Sequence, residues 1–314
     1  MINTTKLTKQ LTLLFGLSCL VLCVEAADLE FDLPGVHVRD YALSQDGTEV
    51  YLTMESMAKD ASQIIVMKRQ GTKWSEPEIA SFSGQYKDLE PFLHPNGLQL
   101  FFASNRNAEQ TAATQQFDLW QVSRSNVDSP WSKAKRLPEI INTSDGNEFF
   151  PSVSNNGNLY FTATKASGIG KEDIYVSRWV DGNYTEAEIL PETINSATYE
   201  FNAYISPDEK LLIFSSYGRA DDLGGGDLFF SRLIDGSWQE AENMGPKINS
   251  KGLDYCPFYD HQSQTLYWTS NRSSLTEYSD SIKTFDQWYD LYTHGENGLS
   301  KIYRKPFELS NKEG

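Results

Sequence analysis

Short apolar runs of strand length alternate with polar turns along most of the chain, and this alternation recurs in five similar units. The central run of each unit is rich in β-branched and aromatic residues, which suits a strand that is buried on both faces. These runs occupy residues 49–54, 98–104, 158–164, 210–216 and 265–270. Because each unit is about 50 residues long and consists of strands and turns, the pattern is typical of β-propeller blades.

Turn-forming pairs divide each unit into four predicted strands. Asp-Gly and Asn-Gly tolerate the positive φ angles that two-residue hairpins demand, so they predict where strands reverse. Such pairs follow the first strand at Asp46-Gly47, Asn96-Gly97 and Asn156-Gly157. The third strand is predicted to begin at Asp118, Asp173, Asp227 and Asp290 in the last four units. The fourth strand opens with an aromatic residue at Trp74, Trp131, Tyr184 and Trp238.

The predicted fold is therefore all-β, a five-bladed β-propeller of four-stranded antiparallel blades. Its blades are expected at about residues 38–80, 86–137, 147–190, 199–244 and 253–306, within one domain that spans residues 27–314. Two segments compete for the outer strand of the fifth blade. We expect the C-terminal segment, residues 299–305, to be that fourth strand, with residues 29–33 pairing outside or near it.

The first 26 residues have the features of a secretory signal peptide. Lys6 and Lys9 precede an apolar run over residues 11–24, and small residues at Val24 and Ala26 suit cleavage. The mature protein is therefore predicted to be periplasmic or secreted, with no transmembrane segment after cleavage. Cys256 is then its only cysteine, so no intramolecular disulfide stabilises it.

Charge and composition narrow the range of partners. The chain has 314 residues, a formal net charge of −16 and 39% hydrophobic residues, enough for a large packed core. The acidic excess argues against nucleic acid or an anionic membrane surface as a partner. Cations, basic proteins and neutral sugars remain compatible with it.

One set of charged residues recurs at equivalent positions in four units. An acidic residue lies at the start of the first strand, and a basic residue follows the second strand, so an antiparallel pairing brings both to one face of the propeller. The acids are Asp88, Glu148, Glu200 and Asp254, and the bases are Arg106, Lys165, Arg219 and Arg272. They form either salt bridges that hold the blades in register or a channel mouth for a polar ligand, such as a sugar acid or a peptide terminus.

Loops on the same predicted face add further candidates. The connection at residues 273–288 carries Tyr278, Phe285 and Trp288, which either pack the loop onto the propeller or present an aromatic surface to a sugar. Asp221, Asp222 and Asp227 flank three glycines and offer oxygen ligands for Ca²⁺. Their spacing is not that of a known calcium loop, so we expect no cofactor.

The repeat resembles that of TolB-type periplasmic proteins, a WD-like β-propeller family. The resemblance rests on Glu148 three residues before Pro151, on Ser206-Pro207-Asp208, on Ser104-Asn105-Arg106 and on the Asp-Leu-Phe strand at Asp227. It covers about residues 38–303. It implies a propeller fold and a function drawn from protein-binding scaffolds, protease accessory propellers and polysaccharide-active enzymes.

The sequence thus favours an exported, non-catalytic binding or scaffolding propeller that recognises a protein or a polar ligand on the charged face. The alternative is a carbohydrate-active hydrolase or lyase in which Glu148, Glu200 or a neighbouring aspartate serves as general acid or base. Carboxylates held about 5–9.5 Å apart across a pocket would favour the enzyme. Acids that each bind an arginine would favour the scaffold, because such pairing lowers their pKa.

The first prediction concerns export. If residues 1–26 are a cleaved signal peptide, the mature protein begins at Ala27, and intact-mass spectrometry of the exported protein will show that N-terminus. A mature chain that retains Lys6, or that begins at a lipidated Cys19 or Cys23, would contradict this prediction.

Overall fold

The computed structural model describes residues 27–144, 146–275, 282 and 284–308. The predicted signal peptide and Tyr278 lie outside these described residues. Among the described residues, no helix is long and apolar enough to cross a membrane.

Five antiparallel sheets arranged as the blades of a β-propeller confirm the predicted fold class. The first described strand is β1, Asp28–Phe31. Blade one contains β2 (His37–Leu43), β3 (Glu49–Glu55), β4 (Ser62–Gln70), β5 (Lys73–Trp74) and β6 (Glu78–Ile79). Blade two contains β7 (Asp88–Leu93), β8 (Gln99–Arg106), β9 (Ala113–Ser123) and β10 (Lys135–Arg136).

Blades three and four repeat this order, and blade five departs from it. Blade three contains β11 (Glu148–Val153), β12 (Leu159–Ala163), β13 (Asp173–Ser177), β14 (Trp179–Val180), β15 (Asn183–Tyr184) and β16 (Glu188–Ile189). Blade four contains β17 (Tyr199–Ile205), β18 (Leu211–Tyr217), β19 (Asp227–Ile234), β20 (Ser237–Trp238) and β21 (Glu242–Asn243). Blade five contains β22 (Asp254–Asp260), β23 (Thr265–Ser270), the helix α1 (Phe285–Thr293) and β24 (Lys301–Pro306). The first strands of neighbouring blades contact one another around the whole ring.

The apolar core consists of layers between adjacent blades. One layer joins blades one and two through Tyr51 and Trp120, and another joins blades three and four through Tyr160 and Phe214. The second strand of each blade lies between two such layers. Its side chains are therefore buried on both faces, as the continuous apolar runs predict.

The N-terminal strand supplies the outer strand of blade five. β24 pairs with β23 on one side and with β1 on the other, so the sheet order is β22, β23, β24, β1. The expectation that residues 299–305 form the fourth strand is therefore wrong, although residues 28–31 do pair outside them. The physical reason is the long insertion after β23. Because of it, the third strand of blade five comes late in the chain, and the C-terminal segment forms that third strand instead of the fourth.

The predicted third strand at Asp290 is also wrong, because Asp290 lies in α1. Thr284 caps this helix: its hydroxyl accepts a hydrogen bond from the backbone N–H of Gln287, whose side chain accepts one from the backbone N–H of Thr284. The Asp-Leu-Tyr sequence matches the strand motif of the other blades, yet the capping residues before it start a helix.

A β-bulge interrupts the first strand of every blade at the same place. One residue of each bulge has a positive φ, and none of the five is glycine, so each carries conformational strain. These residues are Asp40 (64°), Glu90 (60°), Phe150 (46°), Asn202 (54°) and Cys256 (52°). Three of their backbone N–H groups donate to a threonine of the preceding blade, Thr269, Thr53 or Thr162. The bulges therefore help to join successive blades.

The second prediction tests how the ring closes. Phe31 is 9% exposed and packs against Tyr41 and Trp74, whereas Leu29 on the same strand is 38% exposed. Phe31→Ala should lower the free energy of unfolding by about 3 kcal/mol, because it removes a buried ring. The matched control Leu29→Ala should cost less than about 1 kcal/mol. Equal, small effects in urea unfolding would argue against closure by β1.

Candidate functional site

Three of the four predicted acid–base pairs form buried ion pairs, each within a single blade. The N–O distances are 2.5 Å for Arg106–Asp88, 3.0 Å for Arg219–Glu200 and 2.9 Å for Arg272–Asp254. All three carboxylates are fully buried. Each arginine also donates to a carbonyl oxygen of the loop that leads into its blade, at Phe82, Ile194 or Ile248. These ion pairs therefore connect blades two, four and five to the loops that arrive from the preceding blades.

Blade three departs from this pattern because Lys165 replaces the arginine. The Lys165 ammonium lies 4.8 Å from the centre of the Tyr175 ring, and among the described residues it forms no ion pair with Glu148. Glu148 Oε1 accepts hydrogen bonds from the N–H and hydroxyl of Thr143, while Oε2 has no partner in the described part of the chain. Burial raises the pKa of Glu148, and the charge of Asp118 adds to the increase.

A second group of charges surrounds Arg39, which sequence reasoning did not single out. Its guanidinium lies 3.0 Å from Asp40 Oδ2, 2.6 Å from Glu90 Oε1 and 3.8 Å from Glu55 Oε2. Burial raises the pKa of Glu90 to about 7, an increase that Asp40 supports and Arg39 opposes. Arg39 therefore neutralises part of a buried cluster that holds more negative than positive charge.

This cluster borders a cavity of about 270 Å³ that is open to solvent at the channel mouth. The bulge residues Glu90 and Asn202 line it, together with Arg39, which precedes the bulge of blade one. Phe149, Phe201 and Tyr255, the residues before the bulges of blades three, four and five, supply aromatic surface, and Lys59 and Glu172 complete its charged lining. Burial raises the pKa of Glu172. The bulges therefore determine which side chains face the cavity.

None of the nine predicted site residues lines this cavity. The four acids are completely buried, and the four bases contact them or neighbouring aromatic rings. Trp288 lies on α1, with its ring 5.6 Å from that of Tyr292. The structure thus shifts the candidate site to the residues at the bulges, which in blades two to five directly follow the acid of the repeat. One sequence feature could have indicated these residues: they vary from blade to blade within an otherwise regular motif.

A smaller cavity of about 110 Å³ lies at the hairpins between first and second strands, which form the opposite face. Phe92, Tyr204 and Phe258 line it with His94 and His261. Burial lowers the pKa of both histidines, so they are neutral at physiological pH. The lining of this cavity is more apolar than polar, so the charged cavity is the better candidate for a polar ligand.

The proposed calcium ligands occupy the connection between β18 and β19. Within the described residues, no group of three or more Asp, Glu, His or Cys side chains is arranged to hold a metal. The glycines have a structural explanation: a Cβ at Gly224 would lie 2.5 Å from the Ser250 carbonyl oxygen. This loop therefore needs glycine to pack on the approach to blade five.

Comparison with known proteins supports the fold. No protein-family model matches the chain, and no curated protein does. Among solved structures, α-L-arabinofuranosidase from Lactobacillus brevis is similar, with a TM-score of 0.54, 13% identity and coverage of 88% of this chain and 92% of that one. GH43 endo-arabinanase from Bacillus licheniformis has a TM-score of 0.51 and 11% identity, over 87% of this chain and 95% of that one.

TolB from Acinetobacter baumannii is also among the similar structures, with a TM-score of 0.48 and 10% identity over 85% of this chain. The chain spans about half of the length of TolB, 54%. At these identities the similarity shows the fold alone. The chain is a five-bladed β-propeller.

The third prediction compares two buried glutamates. Glu200→Gln leaves Arg219 without its counter-ion and should lower the free energy of unfolding by about 1–3 kcal/mol at pH 7.5. Glu148→Gln should be neutral or stabilising there, because the raised pKa shows that folding disfavours ionised Glu148.

The pH dependence follows from the sign of that shift. Protonated Glu148 is favoured in the folded protein, so its stabilising contribution is complete below the unfolded pKa and is lost as the pH rises through the folded pKa. Wild type and Glu148→Gln should therefore converge near about pH 4 and diverge towards neutral pH. Urea unfolding of both proteins at a series of pH values between about 4 and 7.5 measures this difference in stability. If Glu148→Gln lowered the free energy of unfolding as much as Glu200→Gln does, the predicted difference between the two glutamates would be wrong.

Proposed function

We propose that this chain is an exported, non-catalytic binding propeller that receives a basic group of a partner protein in the channel mouth. The observation that carries this proposal is the open cavity of about 270 Å³ beside Arg39, lined by charged and aromatic side chains. A rigid ring of blades that presents variable residues at one end is suited to recognition. The N-terminal leader supports export, since it has the features of a signal peptide.

The charge of the cavity favours a cationic ligand. Asp40, Glu55, Glu90 and Glu172 supply four carboxylates at or behind the lining, against Arg39 and Lys59 as cations. Glu172 has no ion pair among the described residues, and burial disfavours its ionised form. An ammonium or guanidinium group bound beside Glu172 would relieve that cost, and the rings of Phe149, Phe201 and Tyr255 would attract it through cation–π interactions.

A carbohydrate-active hydrolase is the second candidate, and the pKa of Glu90 is the observation that favours it. A buried carboxyl with a pKa of about 7 beside a cavity resembles a general acid. However, Glu90 Oε1 accepts from Arg39 at 2.6 Å, and Oε2 accepts from the Phe150 N–H at 2.7 Å. Both oxygens therefore face donors, which suits a structural carboxylate better than an acid that must give a proton to a substrate.

The fourth prediction tests the ligand class with an array of peptides that differ only in one lysine, arginine or glutamine. Basic peptides should bind the wild type, and Glu172→Gln should weaken the best of them by about tenfold, because it removes one charge-assisted contact. Fluorescence polarisation measures the affinities. Glu139→Gln is the matched control, since Glu139 is exposed and does not line this cavity.

The same protein should be tested for hydrolysis of linear arabinan and of p-nitrophenyl α-L-arabinofuranoside, the substrate types of the two enzymes that it resembles in fold. We expect no release of sugar or nitrophenol above the background. Sugar release that Glu90→Gln abolishes, in a variant that still unfolds cooperatively, would replace the binding proposal with the hydrolase.

A further inference from the structure

The connection between β18 and β19 in blade four contains two carboxylates that are only half satisfied. Asp222 Oδ2 accepts hydrogen bonds from the N–H groups of Gly218 and Arg219. Asp227 Oδ2 accepts from the Leu223 N–H at 2.8 Å and from the Asn243 amide at 2.8 Å. Because Leu223 directly follows Asp222 in the chain, this hydrogen bond holds the Asp227 carboxylate beside the peptide bond that links Asp222 to Leu223.

The other oxygen of each carboxylate lacks a partner. Asp227 is 0% exposed, and its Oδ1 forms no hydrogen bond within the described residues. Asp222 Oδ1 is equally shielded from solvent and equally without a partner in that part of the chain. A buried carboxylate oxygen without a donor or cation is costly, so this arrangement calls for a positively charged group that the described chain does not supply.

Comparison between blades shows what blade four lacks. Asp118 occupies the position of Asp227 in blade two, where Arg136 binds it through two hydrogen bonds of 2.6 and 3.0 Å. The residue that corresponds to Arg136 in blade four is Asn243, since each pairs with the residue two positions after the aspartate. An uncharged amide thus replaces a guanidinium, and Asp227 forms no ion pair with any residue in the described part of the chain.

We propose that Asp222 and Asp227 bind a Ca²⁺ ion through their free Oδ1 atoms, with carbonyl oxygens of the connecting loop and water as the remaining ligands. Calcium accepts six to eight oxygen ligands in flexible geometry, so two carboxylates with carbonyls and water suffice. A site with so few carboxylates binds weakly, with a dissociation constant on the order of 10⁻⁴–10⁻³ M, a range that serves extracellular proteins.

The loop is shaped to hold these groups before an ion binds. The Gly225 N–H donates to the Gly252 carbonyl at 2.9 Å, and the Asp254 N–H donates to the Gly226 carbonyl at 2.9 Å. These bonds anchor the loop to the segment that leads into blade five. A preformed loop has less conformational entropy to lose on binding, which favours the ion.

Thermal unfolding of the full mature protein, after treatment with EDTA and at constant ionic strength, tests the site. Calcium at about ten times the dissociation constant should raise the Tm of the wild type by roughly 2–4 °C. Asp222→Asn should remove this rise while leaving the calcium-free Tm unchanged or higher, because one of two close negative charges is gone. Magnesium should have a smaller effect, since it demands a stricter geometry.

Asp173→Asn is the matched control. Asp173 holds the equivalent position in blade three, where both of its oxygens accept a hydrogen bond from the Gly170 N–H. That variant should keep the calcium-dependent rise in Tm. Terbium luminescence excited through tyrosine gives a second readout, since Tyr217 adjoins the loop, and it should be lost in Asp222→Asn.

Two results would overturn the proposal. One is a wild type whose Tm does not respond to calcium up to about 20 mM, well above the expected dissociation constant. The other is a response of equal size to calcium and magnesium that Asp222→Asn retains, because this would reflect general screening of the net charge of −16.

Discussion

The β-bulge in the first strand of each blade is the feature on which both the fold and the candidate site depend. It turns the N–H of one residue towards the preceding blade, where Thr53, Thr162 or Thr269 accepts it. It also places that residue or the one before it at the channel, so that each blade contributes at least one of the two side chains to the cavity lining. Because the left-handed backbone of a non-glycine residue is strained, the surrounding blades must stabilise each bulge. In blade two Ala103 replaces the threonine, and Glu90 accepts the N–H of Phe150 instead.

Closure of the ring is the second constraint, since Cys256 is the only cysteine among the described residues and no disulfide joins two of them. The first and last described strands meet in blade five, where β1 pairs with β24 and Lys301 binds Asp32 at 2.6 Å. The N–H of Val38 donates to the Ser300 carbonyl at 2.8 Å and joins blade one to the same sheet. A strand from the N-terminus thus covers an edge that would otherwise be exposed.

The charged residues show which side-chain contacts can be predicted from equivalent positions in a sequence repeat, and which cannot. Equivalent positions predicted that Asp88, Glu200 and Asp254 would meet Arg106, Arg219 and Arg272, because antiparallel pairing brings the start of one strand to the end of the next. The same reasoning treated Glu148 and Lys165 as a fourth pair, yet the lysine ammonium packs over Tyr175 instead. A lysine lacks the planar fork with which arginine reaches a carboxylate and a loop carbonyl together.

The sequence by itself determined the five-bladed architecture, since hydrophobic periodicity and Asp-Gly or Asn-Gly turns are local properties. It did not determine that Asp290 would lie in a helix or that β1 would complete blade five, because these depend on packing and pairing between distant segments. It also did not show that Arg39 and Glu90, which are 51 positions apart, form an ion pair at the channel. Only the closed ring brings the first strands of all blades to one axis, and so only the tertiary structure decided where the candidate site lies.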